Sequence, residues 1–179
     1  MVQKPNQGAP AKPVLFVLTG PESTAKTTLT EALSVHFKAN LVAEASRQYL
    51  ANKQTYLPSD LLKIAQHQQA SEQSRPAGIA FADTDLQVLS IWWSERFGPV
   101  PYALSHDYAA QSLRHYLLCK PDIDWQPDSL RENAHDRERL FTLYENDLKA
   151  RALNYTVVDG IGDKRLSNTI TRVANILSI

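Results

Sequence analysis

Val14-Leu-Phe-Val-Leu-Thr-Gly20 runs directly into Pro21-Glu-Ser-Thr-Ala-Lys-Thr-Thr28. An apolar, β-branched run ends in glycine, and a Lys-Thr pair follows. The run is too continuous for a strand with one wet face, so it reads as a buried parallel strand. Gly20, Lys26 and Thr27 fit the phosphate-binding spacing G-x-x-x-x-G-K-[ST], with Ala25 where the second glycine belongs. A strand, a loop and a helix in this order supply what phosphate needs: consecutive backbone N–H groups at the positive end of a helix. The expected phosphate-binding residues are Gly20, Glu22, Ser23, Thr24, Ala25, Lys26, Thr27 and Thr28. Lys26 would reach the β- and γ-phosphates and the Thr27 hydroxyl would bind Mg²⁺, with Thr28 as a second hydroxyl. Glycine at position 25 would permit positive φ. Alanine there costs about 1 kcal/mol or more if φ is positive, and little if it is negative.

Outward from this loop the chain alternates strand and helix. Further strands are expected over 79–82, 115–119 and 155–158, and over 41–45, where a helix is the alternative reading. Helices are expected over 28–38, 59–74, 86–96, 102–112, 137–153 and 166–177. Ser59 or Asp60 is placed to cap the helix that follows Pro58. Five strands alternating with helices imply an α/β fold of three layers, a parallel sheet covered on both faces. Ligands in such folds bind at the carboxyl ends of the strands. Gly20 and Lys26 follow strand one, Glu44 ends strand two, and Asp83 and Asp85 follow strand three.

The 179 residues are 43% hydrophobic and 21% charged, as expected of one globular domain. That domain is assigned to residues 14–179, after a flexible polar, Pro-rich tail over 1–13 that does not read as a secretory signal. The formal net charge is zero, so no global field draws the chain to nucleic acid or to an anionic membrane. No apolar stretch approaches the length of a spanning helix. A cytoplasmic setting and a small-molecule partner are expected, with the oligomeric state open. The single cysteine, Cys119, lies in an apolar run and reads as a core thiol.

The carboxylates have distinct expected tasks. Asp83, nearest its strand end, can hold Mg²⁺ directly or through water. Asp85 either serves the site or caps the helix that starts at Leu86. Glu44 can accept a proton from a substrate hydroxyl, with Arg47 one helical turn away. Arg131 and Arg137 fall in a polar segment over about 122–137. There a mobile basic lid would close over a transferring phosphoryl group. Trp92 and Trp93 are adjacent on a helix, so at most one faces a given pocket; core packing is the default, stacking on a planar ligand the alternative. Gln69 is the glutamine chosen to hydrogen-bond a base or amide. His67 reads as a surface residue, and no Cys/His set has zinc spacing.

GPESTAKTTL, EASRQYL, AFADTD and W-x-x-D-S-L-R…D-R follow one another from Val14 onward. In this order they resemble the ribosylnicotinamide kinase domain of the NadR-like P-loop kinases, a family grouped with AAA-type ATPases. The resemblance implies a nucleoside-kinase-like fold with strand order 2-3-1-4-5 and MgATP as donor. It implies that Glu44, Arg47 and Asp83 line the acceptor site. Trp125, Asp128, Arg131 and Arg137 match the lid, and Asp159-Gly-Ile-Gly-Asp163 the place where adenine is held. Ala25 stands where the family has glycine, and Ala43 where it commonly has an aromatic residue.

The expected function is transfer of the γ-phosphoryl group of ATP to a nucleoside-type hydroxyl, nicotinamide riboside first, which would place the chain in NAD metabolism. Lys26, Glu44, Asp83, Arg131 and Arg137 are the candidate catalytic residues, with Glu44 or Asp83 as base. The alternative is a nucleotide-binding regulator or weak ATPase.

Overall fold

The computed structural model describes residues 15–53, 55–109, 114–127 and 135–178. The strands among them are β1 (Leu15–Thr19), β2 (Asn40–Val42), β3 (Ala80–Asp83), β4 (Arg114–Cys119) and β5 (Tyr155–Val158). The helices are α1 (Lys26–His36), α2 (Ala45–Leu50), α3 (Pro58–Gln73), α4 (Leu86–Phe97), α5 (Tyr102–Ala109), α6 (Arg137–Ala150) and α7 (Gly162–Leu177). The strands form one parallel sheet in the order β2-β3-β1-β4-β5.

The central place of β1 explains its unbroken apolar run. Leu15 pairs with Ala80 on one side and Arg114 on the other, and all five residues of the strand are buried. The side chains alternate between two cores, as the pleat requires. Leu15 and Val17 pack with Leu61, Ile64, Leu86 and Tyr144, from α3, α4 and α6. Phe16 and Leu18 pack with Leu29, Leu33, Phe81 and Val173, from α1, β3 and α7. Phe16 stacks on Phe81 with centroids 5.2 Å apart. Cys119 is fully buried in this second core, where burial pushes its thiol up.

Several boundaries differ from the expectation, each for a local reason. The second strand stops at Val42 because it is an edge strand paired only to β3. The chain then turns at Glu44, in extended backbone, into α2. Helix α3 is entered at Leu57 rather than capped by Ser59. Asp60 Oδ2 instead reaches back to accept the Leu57 N–H at 2.9 Å. Helix α7 starts at Gly162, so Arg165 lies inside its first turns rather than ahead of it. The tail over 1–13 and the segment 128–134, with Asp128 and Arg131, lie outside the described residues. No described helix is long and apolar enough to cross a membrane.

Asp60 also fastens α2 to α3. Its Oδ1 accepts from the Tyr49 hydroxyl at 2.9 Å and from Lys53 Nζ at 2.6 Å. The Lys53 ammonium, with the Leu57 N–H beside it, holds the Asp60 carboxyl down at about 2. An unfolded aspartate titrates near ~3.9. The ionised carboxylate therefore stabilises the fold above that pH, and the contribution drains away as pH falls toward 2. The urea midpoint is expected to fall between about pH 4 and pH 2 more steeply in the wild type than in D60N.

A buried polar network lies under the carboxyl ends of the strands. Arg114 Nη1 donates to Asp85 Oδ2 at 2.9 Å and its Nη2 to Glu72 Oε2 at 2.5 Å. The Tyr116 hydroxyl reaches the same Asp85 oxygen at 2.7 Å, and Asp85 Oδ1 caps α4 by accepting the Gln87 N–H at 2.8 Å. Gln87 in turn accepts from the Thr19 hydroxyl at 2.7 Å and donates to Asp147 Oδ2 at 3.0 Å.

Candidate active site

The loop after β1 is shaped by two backbone requirements. Gly20 has φ +121°, and a Cβ there would lie 2.7 Å from the Cys119 carbonyl oxygen of β4. Only glycine fits. Ala25 has φ +58° and ψ +31°, the left-handed conformation glycine would favour, so here the methyl group is strained. A25G is expected to raise stability by roughly 0.5–1 kcal/mol, the relieved strain being offset in part by the freer unfolded chain. Urea unfolding of the two proteins measures the difference.

No side chain caps α1 and no acid sits in its first turn, so its N-terminal amides are left for an anion. Lys26 opens that helix and folds back over the loop. Its Nζ donates to the Gly20 carbonyl at 2.9 Å and the Pro21 carbonyl at 2.6 Å. Burial lowers the Lys26 pKa, while the Cys119, Glu44, Asp83 and Glu22 groups around it oppose the drop.

Asp83 ends β3 directly beside the loop, in register with Leu18. Burial raises its pKa, and a hydrogen bond from Thr27 works against that rise. Its Oδ1 is buried with no hydrogen-bond partner among the described residues. An orphaned carboxylate oxygen next to a threonine hydroxyl is a hard oxygen donor set of the kind Mg²⁺ takes alongside phosphate and water. The residues present therefore fit the ion.

One cleft of about 340 Å³ brings the pieces together. Gly20, the loop residues from Glu22 to Thr28, Glu44, Arg47, Thr84, Val88, Trp92 and Tyr144 line it. Asp83 joins Thr27, Glu44 and Arg47 around an adjoining cavity of about 280 Å³. Glu44 sits at the start of α2, where the Ser46 hydroxyl and, at 3.0 Å, Arg47 Nε donate to its two oxygens. Trp92 lines the cleft while packing against the core and against Tyr56 at 6.2 Å. Trp93 turns elsewhere, its Nε1 donating to the Pro99 carbonyl at 3.0 Å. Burial raises the Tyr144 phenol far above its ordinary value, so it stays a neutral donor.

Of its two expected roles Asp85 takes the cap: it is fully enclosed, held by Arg114, Tyr116 and the α4 amide, and is not among the residues lining the cleft. Gln69 is not among the residues lining the cleft; Gln68 is the buried glutamine of α3. Arg137 lies beside the phosphate loop. Its Nη1 holds the Ser23 carbonyl at 3.1 Å and the Ile123 carbonyl at 2.9 Å, and its guanidinium sits 5.7 Å from the Trp125 ring centre. In this arrangement it ties the 120s segment to the loop.

Arg165 is a residue the pattern did not reveal. It is 3% exposed. Its Nη2 donates to the Thr24 and Lys120 carbonyls, each at 3.1 Å. Its Nη1 donates to Gly160 O at 2.9 Å and to Asp122 Oδ1 at 2.5 Å. It thus joins the phosphate loop to the ends of β4 and β5. In the sequence it is an arginine two residues after Asp159-Gly-Ile-Gly-Asp163, with nothing in its spacing to mark it.

The geometry defines a P-loop fold with a phosphate cradle facing two carboxylates. A family profile described as AAA domain matches residues 15–165, and the chain belongs to that family. Among solved structures, NadR protein in complex with NR is 19% identical, with a TM-score of 0.71, covering 93% of this chain and 52% of its own. A NadR complex with NAD and AMP-PNP is 17% identical, with a TM-score of 0.69, covering 93% of this chain and 50% of its own. Shikimate kinase from Acinetobacter baumannii is 13% identical, with a TM-score of 0.55, covering 94% of each chain. The resemblance to NadR-like kinases therefore holds for the fold, and the chain spans about half the length of those NadR chains. No curated protein matches the sequence significantly.

Proposed function

We propose that this chain is an ATP-dependent small-molecule kinase that passes the γ-phosphoryl group to a nucleoside-type hydroxyl. The observation that carries the reading is the single cleft in which the phosphate loop meets Glu44 and Arg47, with Asp83 on the adjoining wall. Lys26 would exchange its two loop carbonyls for phosphate oxygens. Thr27 and Asp83 would hold Mg²⁺, which when bound supplies positive charge against the developing negative charge. Glu44, which lines both cavities, would orient an acceptor hydroxyl and take its proton; Asp83 is the other base candidate. Trp92 offers the face for a planar ring. Arg131 of the lid segment is the further cation assigned to the transition state.

Nicotinamide riboside comes first among acceptors, because of the fold likeness to the NadR structure solved with NR. The purified protein with MgATP is expected to phosphorylate nicotinamide riboside from a panel of nucleosides and ribosyl compounds, scored by mass of the product. Failure on the whole panel, together with ATP-dependent stabilisation, would favour the second reading, a nucleotide-binding regulator. The strained Ala25 and the short, exposed Ala43 beside Glu44 are the observations on its side.

A further inference from the structure

One side chain touches both carboxylate-bearing segments of the site without entering the cleft. Gln68, on α3, is 2% exposed. Its Oε1 accepts the Ala45 N–H at 3.0 Å, the amide that directly follows Glu44 and opens α2. Its Nε2 donates at 3.2 Å to the carbonyl of Thr84, the residue that directly follows Asp83. A second, longer contact of 3.5 Å runs from Nε2 to Glu72 Oε1. A buried amide is costly unless its bonds are made. Here the bonds run to the two segments that present Glu44 and Asp83. The ordinary packing of α3 on the sheet is done by Leu61, Ile64 and Ala65 of the same helix face.

The turn at Thr84 needs such a tether. Its φ is +68°, in the left-handed region where a β-branched residue is an outlier. Strain of this kind persists only where the surroundings over-determine it. The Thr84 N–H is fixed to the Leu18 carbonyl of β1 at 3.1 Å, and its carbonyl is fixed to Gln68. Thr84 itself lines the cleft. Glu44 and Asp83 line one cavity and, as like charges, repel each other, so their own chemistry does not keep them together.

We infer that Gln68 is a positioning residue whose amide bridges the main chains at Ala45 and Thr84 and so sets the separation of the Glu44 and Asp83 carboxylates. The bridge is a statement about the fold; its catalytic consequence rests on the kinase reading above. Loss of the bridge lets α2 and the β3–α4 turn drift apart. That displaces the acceptor side of the cleft while leaving the phosphate loop, which Gln68 does not touch.

The test uses Q68M, which keeps length and volume but neither accepts nor donates, in wild-type and T84G backgrounds. Amide hydrogen exchange at Ala45, whose N–H the bridge holds, is expected to quicken about tenfold in Q68M relative to amides of β1, and the carbonyl resonance of Thr84, whose oxygen loses its donor, is expected to shift. The kcat for phosphoryl transfer is expected to fall on the order of tenfold to a hundredfold, with the KM for ATP held within about twofold. Glycine at position 84 removes the strain, so the kcat penalty of Q68M is expected to shrink at least about threefold in the T84G background. Q68E keeps the acceptor for Ala45 and loses the donor to Thr84. It is expected to shift the Thr84 carbonyl resonance while the Ala45 amide stays protected.

Unchanged exchange at Ala45, or an unmoved Thr84 carbonyl resonance, overturns the bridge. An equal Q68M penalty in both backgrounds, or a KM for ATP that rises as far as kcat falls, overturns the positioning role and leaves general loosening. If the wild type transfers to no acceptor while Q68M still quickens exchange at Ala45, the kinase reading falls and the bridge stands.

Discussion

Replacing Lys26 by methionine is expected to lower phosphoryl transfer by roughly 10²–10³-fold, the usual cost of removing one donor aimed at developing charge. The same change should erase the rise in melting temperature that ATP gives the wild type. It should not weaken the free protein. In the free protein the ammonium is desolvated and, among the described residues, donates to the Gly20 and Pro21 carbonyls; burial lowers its pKa, against the pull of Cys119, Glu44, Asp83 and Glu22. Methionine keeps the length of the side chain and removes the buried charge. Unliganded K26M should therefore melt at or above the wild-type temperature. A variant that bound ATP normally and turned over at the wild-type rate would remove the phosphate loop from the mechanism.

The second large effect lies outside the cleft. R114M is expected to cost about 3–5 kcal/mol, read as a drop in the urea midpoint at unchanged slope. Arg114 is bonded to both Glu72 and Asp85, and all three side chains are nearly inaccessible. Without the guanidinium, two carboxylates remain buried and close. The coupling to Arg114 is already opposed by desolvation: burial raises the Glu72 pKa while the Arg114 charge pulls it down. E72Q in the R114M background should recover part of the loss by removing one of the stranded charges. Additive losses in the double variant would show that the pair does not act as a unit.

How far the sequence was legible follows from the range of the forces involved. The run from Val14 to Thr19 announces a central strand because burial on both faces leaves no room for polar alternation. The Gly20–Lys26–Thr27 spacing announces the loop because it encodes local geometry. Asp83 was visible because a strand ended in acid next to that loop. Less visible were residues whose partners are remote in the chain. Asp85 read equally as a site acid or a helix cap, and its remote partners Arg114 and Tyr116, from β4, hold it in the cap. Gln69 lies four residues after the buried Ala65, but Gln68, four after the buried Ile64, is the more deeply buried glutamine, and helical period alone does not separate the two. Arg165 meets Thr24 and Lys120 only after the sheet has formed. The short edge strand β2 merged in the pattern with α2, because three residues carry too little periodicity to separate from the helix that follows.

The sheet order also sets a timetable. During synthesis Leu15 emerges first, but its hydrogen-bonding partners are Ala80 on one flank and Arg114 on the other. At about 5–20 residues per second, the most apolar strand of the protein waits seconds for either neighbour, and longer for both. Until then its main-chain edges and both apolar faces are open to any other unpaired strand. Nascent chains released before residue 114 would keep the seed of the sheet without the flank that closes it, and such truncated products should be recovered bound to chaperones or in aggregates.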